Sequence, residues 1–233
     1  MIILALDSTA KAAAVALLRD ENLIAKDMHD DGNTHSSTLL PMVEELLIQN
    51  SLTVNDIDLF AASAGPGSFT GVRIGAATIK GLAFGKNKPC VAVSALEALA
   101  YNMRDTDGIV CALMDARRGQ FYTATFEIAN GKVSRLTPDE AKSGEDIAAS
   151  LKKHEKVYLV GDGANVAIPF FGGNVQLAPA DRLLADGESV GLLAKKLFES
   201  GKSVSDAEFA PTYLRLPQAE RERLEKLQKE DIK

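Results

Sequence analysis

The chain is poor in the residues that build metal modules and covalent crosslinks. Three histidines and two cysteines are spread over 233 residues, which excludes a disulfide scaffold and a Cys-rich zinc module. His29, His35 and His154 stand apart, no His-Glu-x-x-His run occurs, and no serine lies at a spacing that favours a triad. No apolar run reaches the roughly 18 residues needed to span a bilayer, so no membrane partner is expected. Asp7 ends the first apolar stretch too early for a signal peptide, and the expected location is the cytoplasm. Positive charge is not in excess: 26 Lys+Arg against 32 Asp+Glu give −6, which argues against holding nucleic acid by charge. Cys90 and Cys111 lie in apolar, strand-like stretches and are expected as buried, reduced thiols.

The rest is ordinary globular composition, 46% hydrophobic and 25% charged, enough for one large domain or two small lobes. Ile2–Leu6, Ala12–Leu18 and Asn22–Met28 read as strands with connections short enough for an antiparallel meander. Leu39, Leu40, Val43, Leu46 and Leu47 recur at helical spacing, with Met42 and Ile48 outside the main stripe. Pro41 fits that helix if Ser37 or Thr38 caps it, because first-turn N–H groups need no helical partner.

Ile57–Ser63 is a strand that runs into Gly65-Pro66-Gly67-Ser68-Phe69-Thr70-Gly71 and a helix from about Phe69 to Gly85. That helix is rich in small and apolar residues, so it must be covered on more than one side. Gly71 and Gly75 clear one face for the close approach of another helix, and packing has to offset the cost of glycine in a helix, about 1 kcal/mol each. Pro89–Val93 is a strand, and Ser94 with Glu97 is a capping-box pattern for a helix over Ala95–Asn102. Strands over Ile109–Met114, Gln120–Ile128 and Lys132–Leu136, a helix at about Gly144–Lys153, a strand at Val157–Val160 and a helix at Ser189–Glu199 repeat the style of the first half. Two related α/β lobes are the expectation. The division is 1–103 for the first lobe, 104–190 for the second, 191–217 for a helix and segment packing back, and 218–233 for a charged polar tail.

The glycine-rich turn invites a phosphate-cradle reading, since a helix N-terminus attracts anions. Thr70 occupies the third glycine position of the dinucleotide fingerprint, no Gly-Lys-Ser/Thr follows, and Pro66 and Thr70 break a nucleophile elbow around Ser68. A tight strand-to-helix turn explains the glycines as well. Asp7-Ser8-Thr9 at a strand end either orients a metal-bound phosphate or simply turns the chain. His35 reads as a neighbour of a helix cap.

Six segments occur in a distinctive order: Ile3-Leu4-Ala5-Leu6-Asp7-Ser8-Thr9; His35-Ser36 with Leu39-Leu40-Pro41; Gly65–Gly75 with Val72-Arg73-Ile74; Val93-Ser94-Ala95-Leu96-Glu97-Ala98-Leu99; Asp115-Ala116-Arg117; and Pro211-x-Tyr213-Leu214-Arg215. Over about residues 1–216 this pattern resembles the TsaB (YeaZ) family. The resemblance implies a two-lobed actin-like ATPase fold (ASKHA, ribonuclease H-like) with mixed sheets. It also implies a part in making threonylcarbamoyladenosine beside the anticodon of tRNAs that read codons beginning with adenine. There a TsaD-type partner carries the transfer site, TsaE is an ATPase, and threonylcarbamoyl-AMP is the donor.

By that resemblance this chain is a pseudo-enzyme scaffold with no catalytic residue, no metal and no cofactor of its own. It forms a heterodimer with the TsaD-type subunit, a homodimer when alone, and meets tRNA only indirectly. TsaD-type proteins carry two metal-binding histidines in a motif matched here by Val93–Leu99; the histidines correspond to Ala95 and Leu99, and neither side chain can donate to a metal. The resemblance places the partner interface on Leu39, Met42, Val43, Leu46, Phe69, Arg73, Ile74, Ala76, Ala77 and Lys80, and Ile74→Glu or Ala76→Glu is expected to disrupt pairing in a folded chain. Asp7, Ser8, Thr9, Asp115, Gly161 and Gly163 are a vestigial nucleotide site, in which Asp162 would set a negative charge near phosphates. The alternatives are an actin-like ATPase or small-molecule kinase that uses Asp7 and Thr9, and, remotely, a peptidase.

Overall fold

Apolar runs flanked by short polar turns give the first sheet. A computed structural model describes residues 1–30, 32 and 34–215; the expectations for the 218–233 tail lie outside the described residues. β1 (Ile2–Asp7), β2 (Ala13–Arg19) and β3 (Asn22–His29) form the antiparallel meander. α1 (His35–Gln49), β4 (Leu59–Ser63), α2 (Phe69–Ala83), β5 (Cys90–Val93) and α3 (Ala95–Tyr101) follow. β4 lies parallel to β1, and β5 parallel to β4, for a sheet order β3-β2-β1-β4-β5.

The second half repeats the arrangement. β6 (Gly108–Asp115), β7 (Gln120–Ala129) and β8 (Lys132–Arg135) form a meander, with β9 (Glu140–Ser143) also on β7. α4 (Gly144–Leu151), β10 (Val157–Val160), α5 (Ala164–Ala167), β11 (Val175–Leu177) and α6 (Gly187–Glu199) complete it. β10 is parallel to β6, and β11 to β10, so the order β11-β10-β6-β7-β8 mirrors the first sheet. Two mixed sheets of one topology form the two-lobed actin-like architecture that the resemblance implies. The sequence pattern misses β9, β11 and α5, because elements of three or four residues are too short to display a period.

Each lobe surrenders its last helix to the other. α3 packs on β6, β7 and β8 of the second sheet, while α6 crosses β1 to β5 of the first and also touches α3. β1 is therefore buried on both faces: Leu4 and Leu6 join α1 and α2, and Ile3 and Ala5 join Val190, Leu193 and Ala194 of α6. Gly187 and Gly191 permit this contact, since a Cβ on Gly187 would lie 2.6 Å from the Val15 backbone and one on Gly191 2.3 Å from Leu18. α6 thus starts before the expected boundary at 191 and belongs with the first sheet.

α1 begins earlier than Ser37. Its first residue, His35, donates from Nε2 to the Ala10 carbonyl at 2.8 Å, and the Ser37 hydroxyl bonds the Thr34 carbonyl at 2.8 Å. Pro41 consequently sits inside the helix, on its exposed side. After α6 the chain returns to the first lobe: Val204 bridges Cys90, and Phe209 is buried in that lobe's core. Burial pushes both the Cys90 and Cys111 thiols up to about 11, so both are protonated at neutral pH.

Candidate functional site

The glycines of the 65–75 segment serve close packing. A Cβ on Gly67 would stand 2.3 Å from the Thr9 carbonyl oxygen, one on Gly71 1.9 Å from that of Ser8, and one on Gly75 2.7 Å from the Ser8 hydroxyl. The neighbour of this face is therefore the β1–β2 turn, and not the second helix expected from the spacing. Ser8 Oγ donates to the Gly71 carbonyl at 2.9 Å, and Ser68 caps α2 by accepting from the Gly71 N–H at 3.3 Å. Asp7 is buried, and its Oδ1 accepts from both the Thr9 N–H at 2.8 Å and the Thr9 hydroxyl at 2.7 Å. The Asp-Ser-Thr element thus satisfies itself against α2.

In front of this turn lies a cleft of about 590 Å³ between the lobes. Thr9–Lys11 and Gly67–Thr70 line one side, Met114–Arg117, Tyr122 and Asp162 the other, and Thr212–Arg215 a third. Of the residues assigned to a vestigial nucleotide site, Thr9 and Asp115 face the cleft, whereas Asp7, Ser8, Gly161 and Gly163 lie behind its surface. Gly161, at φ +105°, and Gly163 are packing glycines: added Cβ atoms would lie 2.1 Å from the Leu113 carbonyl oxygen and 2.9 Å from the Asp115 nitrogen. Asp115 accepts from the Arg117 N–H at 2.7 Å, and its own N–H donates to Asp162 at 3.4 Å. Burial, with the Asp115 charge beside it, raises the Asp162 carboxyl to about 6. Chemically the cleft offers three cations, Lys11, Arg117 and Arg215, against these two acids.

The partner residues divide into three groups. Leu39, Met42, Val43, Leu46 and Ala76 are buried in the first lobe's own core, Met42 with 3% and Ala76 with 4% of its surface exposed. The assignment of Met42 to the outward side and of Ala76 to a contact face is therefore corrected: Met42 belongs to the core under α1, which packs on β2 and β3, and Ala76 to that under α2, which packs on β4. Phe69, Arg73 and Lys80 hold the C-terminal segment. Arg73 lies 4.0 Å over the Phe69 ring and donates from Nε to the Tyr213 hydroxyl at 3.0 Å, and Lys80 Nζ donates to the Ala207 and Phe209 carbonyls at 2.8 and 3.0 Å. Ile74 is half-buried against the same core, and only Ala77 among these residues is exposed without such a task.

Sequence reasoning missed Phe84 at 77% and Leu40 at 51% exposed, with Gly81 opening onto free space, whereas Ile48, read from spacing as outside the main stripe, is 69% exposed. The signal was present. Gly71 and Gly75 point inward, and at 100° per residue Ala77 and Phe84 then fall on the opposite side, with Gly81 on the flank beside them.

Ala95 and Leu99 are buried among α3, β6 and β7, in contact with residues such as Val110, Ala112 and Phe126. Ser94 caps α3 by accepting from the Glu97 N–H at 3.2 Å, but the Glu97 carboxylate pairs with Arg135 at 2.8 Å instead of closing the capping box. Among the described residues no group of three or more His, Cys, Asp or Glu side chains could hold a metal ion, and no helix is long and apolar enough to cross a membrane.

Residues 31–222 match the family model for TsaD, tRNA N6-adenosine threonylcarbamoyltransferase. The chain is similar to the tRNA threonylcarbamoyladenosine biosynthesis protein TsaB of Escherichia coli K12, 33% identical over 92% of this chain and 95% of that protein. To the Bacillus subtilis protein of the same name it is 37% identical over 68% of this chain and 69% of the relative. The solved structure of YeaZ from Pseudomonas aeruginosa superposes with a TM-score of 0.80 at 28% identity, over 91% of this chain and 99% of that one.

Proposed function

The chain belongs to the TsaB family of tRNA threonylcarbamoyladenosine biosynthesis proteins, and from that premise we propose that it is a non-catalytic scaffold. In this reading it pairs with a TsaD-type transferase subunit, with the TsaE ATPase joining the complex. It activates the transfer of threonylcarbamoyl from threonylcarbamoyl-AMP to N6 of the adenosine next to the anticodon, in tRNAs reading codons that start with adenine. Alone it forms a homodimer, and it meets tRNA through its partner.

The observation that carries the proposal is the pair Ala95 and Leu99. The chain matches the model named for the transferase, yet where the resemblance sets that enzyme's metal-binding histidines it has two apolar side chains, buried and packed. The surface left for a partner is the outward side of α1 and α2, where Leu40, Ile48, Ala77 and Phe84 are exposed and Gly81 opens onto free space, and large apolar side chains left exposed on neighbouring helices are what an association site presents. Reconstitution of tRNA modification with and without this chain tests the proposal. Modification should fall to background when it is omitted, and full modification in its absence overturns the reading.

The cleft favours one second reading, a nucleotide-binding activity, because Lys11, Arg117 and Arg215 gather around a cavity of about 590 Å³. Calorimetry with Mg-ATP decides it. Micromolar affinity that Arg117→Ala abolishes establishes the second reading, and no heat at millimolar nucleotide ends it.

A further inference from the structure

The third wall of the cleft is a strap. Residues 207–215 run antiparallel to α2 along one flank, with Ala207 and Phe209 at Lys80, in the helix's last turn, and Tyr213 at Phe69 and Arg73, in its first. The two ends are held very differently. At one end Phe209 is buried in the first lobe's core and Lys80 bonds two carbonyls. At the other, Thr212 N–H donates to the Ala64 carbonyl at 2.7 Å, and Tyr213, nearly half exposed, rests on Phe69 with ring centroids 5.0 Å apart and accepts the one bond from Arg73. Leu214 and Arg215 line the cleft and make no hydrogen bond with another described residue.

Opening the cleft by parting the lobes is far more demanding. α3 lies on the second sheet and α6 on the first, and the two helices pack on each other, so separation would expose Ala98 and Tyr101, both buried in the cluster with α6, and break the Arg104–Glu188 pair and the Lys196–Tyr101 hydrogen bond. Local openings follow the segments with the least buried apolar contact.

We infer that residues 212–215 are a latch. Phe209 and Lys80 are its fixed hinge and the Arg73–Phe69–Tyr213 stack its catch, so access to the cleft is set by release of this segment while the lobes stay closed. Because Arg73 projects from α2 beside the outward Ala77, whatever engages that helix face also controls the catch.

Hydrogen exchange on the full chain tests this, comparing the parent with Arg73→Ala and Tyr213→Phe. Both changes are at the surface, and circular dichroism verifies the fold. Arg73→Ala should speed exchange of peptides covering 210–215 at least tenfold, and Tyr213→Phe, which keeps the ring and loses the hydroxyl, should do so to a smaller extent. Peptides from α3, α6, β1 and β6 should stay at the parent rate. In parallel, Ala116→Cys puts a thiol in the cleft, and Arg73→Ala should raise its labelling by a maleimide at least tenfold; the two native cysteines are buried and protonated. Unchanged exchange at 210–215, an unchanged labelling rate, or acceleration shared with α3 and α6 overturns the latch. This readout uses the isolated chain, so its failure is distinct from failure of the scaffold reading.

Discussion

Two glycines of α2, ten residues apart, separate packing from association. Gly71 meets the Ser8 carbonyl, and its Cβ would lie 1.9 Å from that oxygen, whereas Gly81 has nothing within 4 Å. Gly71→Ala should destabilise the chain by about 3 kcal/mol or more, since the obstructing atom is backbone and overpacking a tight contact costs about 1–3 kcal/mol even where side chains can give way. Gly81→Ala should stabilise the isolated chain by about 0.5–1 kcal/mol, the helix-interior difference between the two residues. Urea unfolding of both variants measures this, and a similar loss in each would place Gly81 against an unrecognised neighbour. Asp162 supplies the pH test. Its carboxyl is raised from 3.8 to about 6, so between those values the folded chain holds a proton that the unfolded chain has released. Stability should fall as pH rises through that window and level off above it, by at most about 3 kcal/mol at 1.36 kcal/mol per unit. Asp162→Asn, whose amide oxygen can accept the same N–H groups, should match the parent near pH 4 and exceed it at pH 7.

At the scale of elements, α2 carries three tasks on three sides: packing on β4 and the β1–β2 turn, holding the strap, and presenting an open face. Charge on the open face should block association and spare the fold. Ala77→Glu and Phe84→Glu are expected to give a chain of monomer mass with native circular dichroism, because a glutamate there is solvated alone and desolvated only in a complex. Ala76→Glu should instead unfold the first lobe, since Ala76 is buried in the core under α2, which packs on β4. Light scattering together with circular dichroism distinguishes the outcomes, and an unchanged mass for Phe84→Glu would move the interface elsewhere. The helix itself was legible from spacing, as were the strands of both meanders. Its phase was not read correctly, because almost every residue of α2 is small or apolar and hydropathy alone gives the helix no unique inner side. Likewise α1's stripe was legible, but whether Met42 or Leu40 turned inward depended on where β2 and β3 lie.

The whole molecule is two copies of one topology tied by exchanged helices. Because α3 and α6 each complete the other lobe's core, neither lobe retains a covered sheet alone, and thermal unfolding should be a single cooperative transition by circular dichroism and by calorimetry. Two separated transitions would show that the lobes are independent. By itself the sequence determined the local chemistry: buried strands from continuous apolar runs with their two buried cysteines, the strand-to-helix turn that only glycine can build, and the family, through ordered motifs that no composition could mimic. The replacement of metal-binding histidines by Ala95 and Leu99 was legible for the same reason, as it depends on residue identity at matched positions. Only the tertiary structure decided which apolar residues are core and which are surface, that the Asp7 carboxylate is spent on Thr9, and that Phe69, Arg73 and Lys80 grip a segment more than 120 residues further along the chain. The reason is physical. Local pattern reports how a residue would pair within its own element, whereas burial is set by whichever distant element arrives, and the strap, the exchanged helices and the cleft are all made by such arrivals.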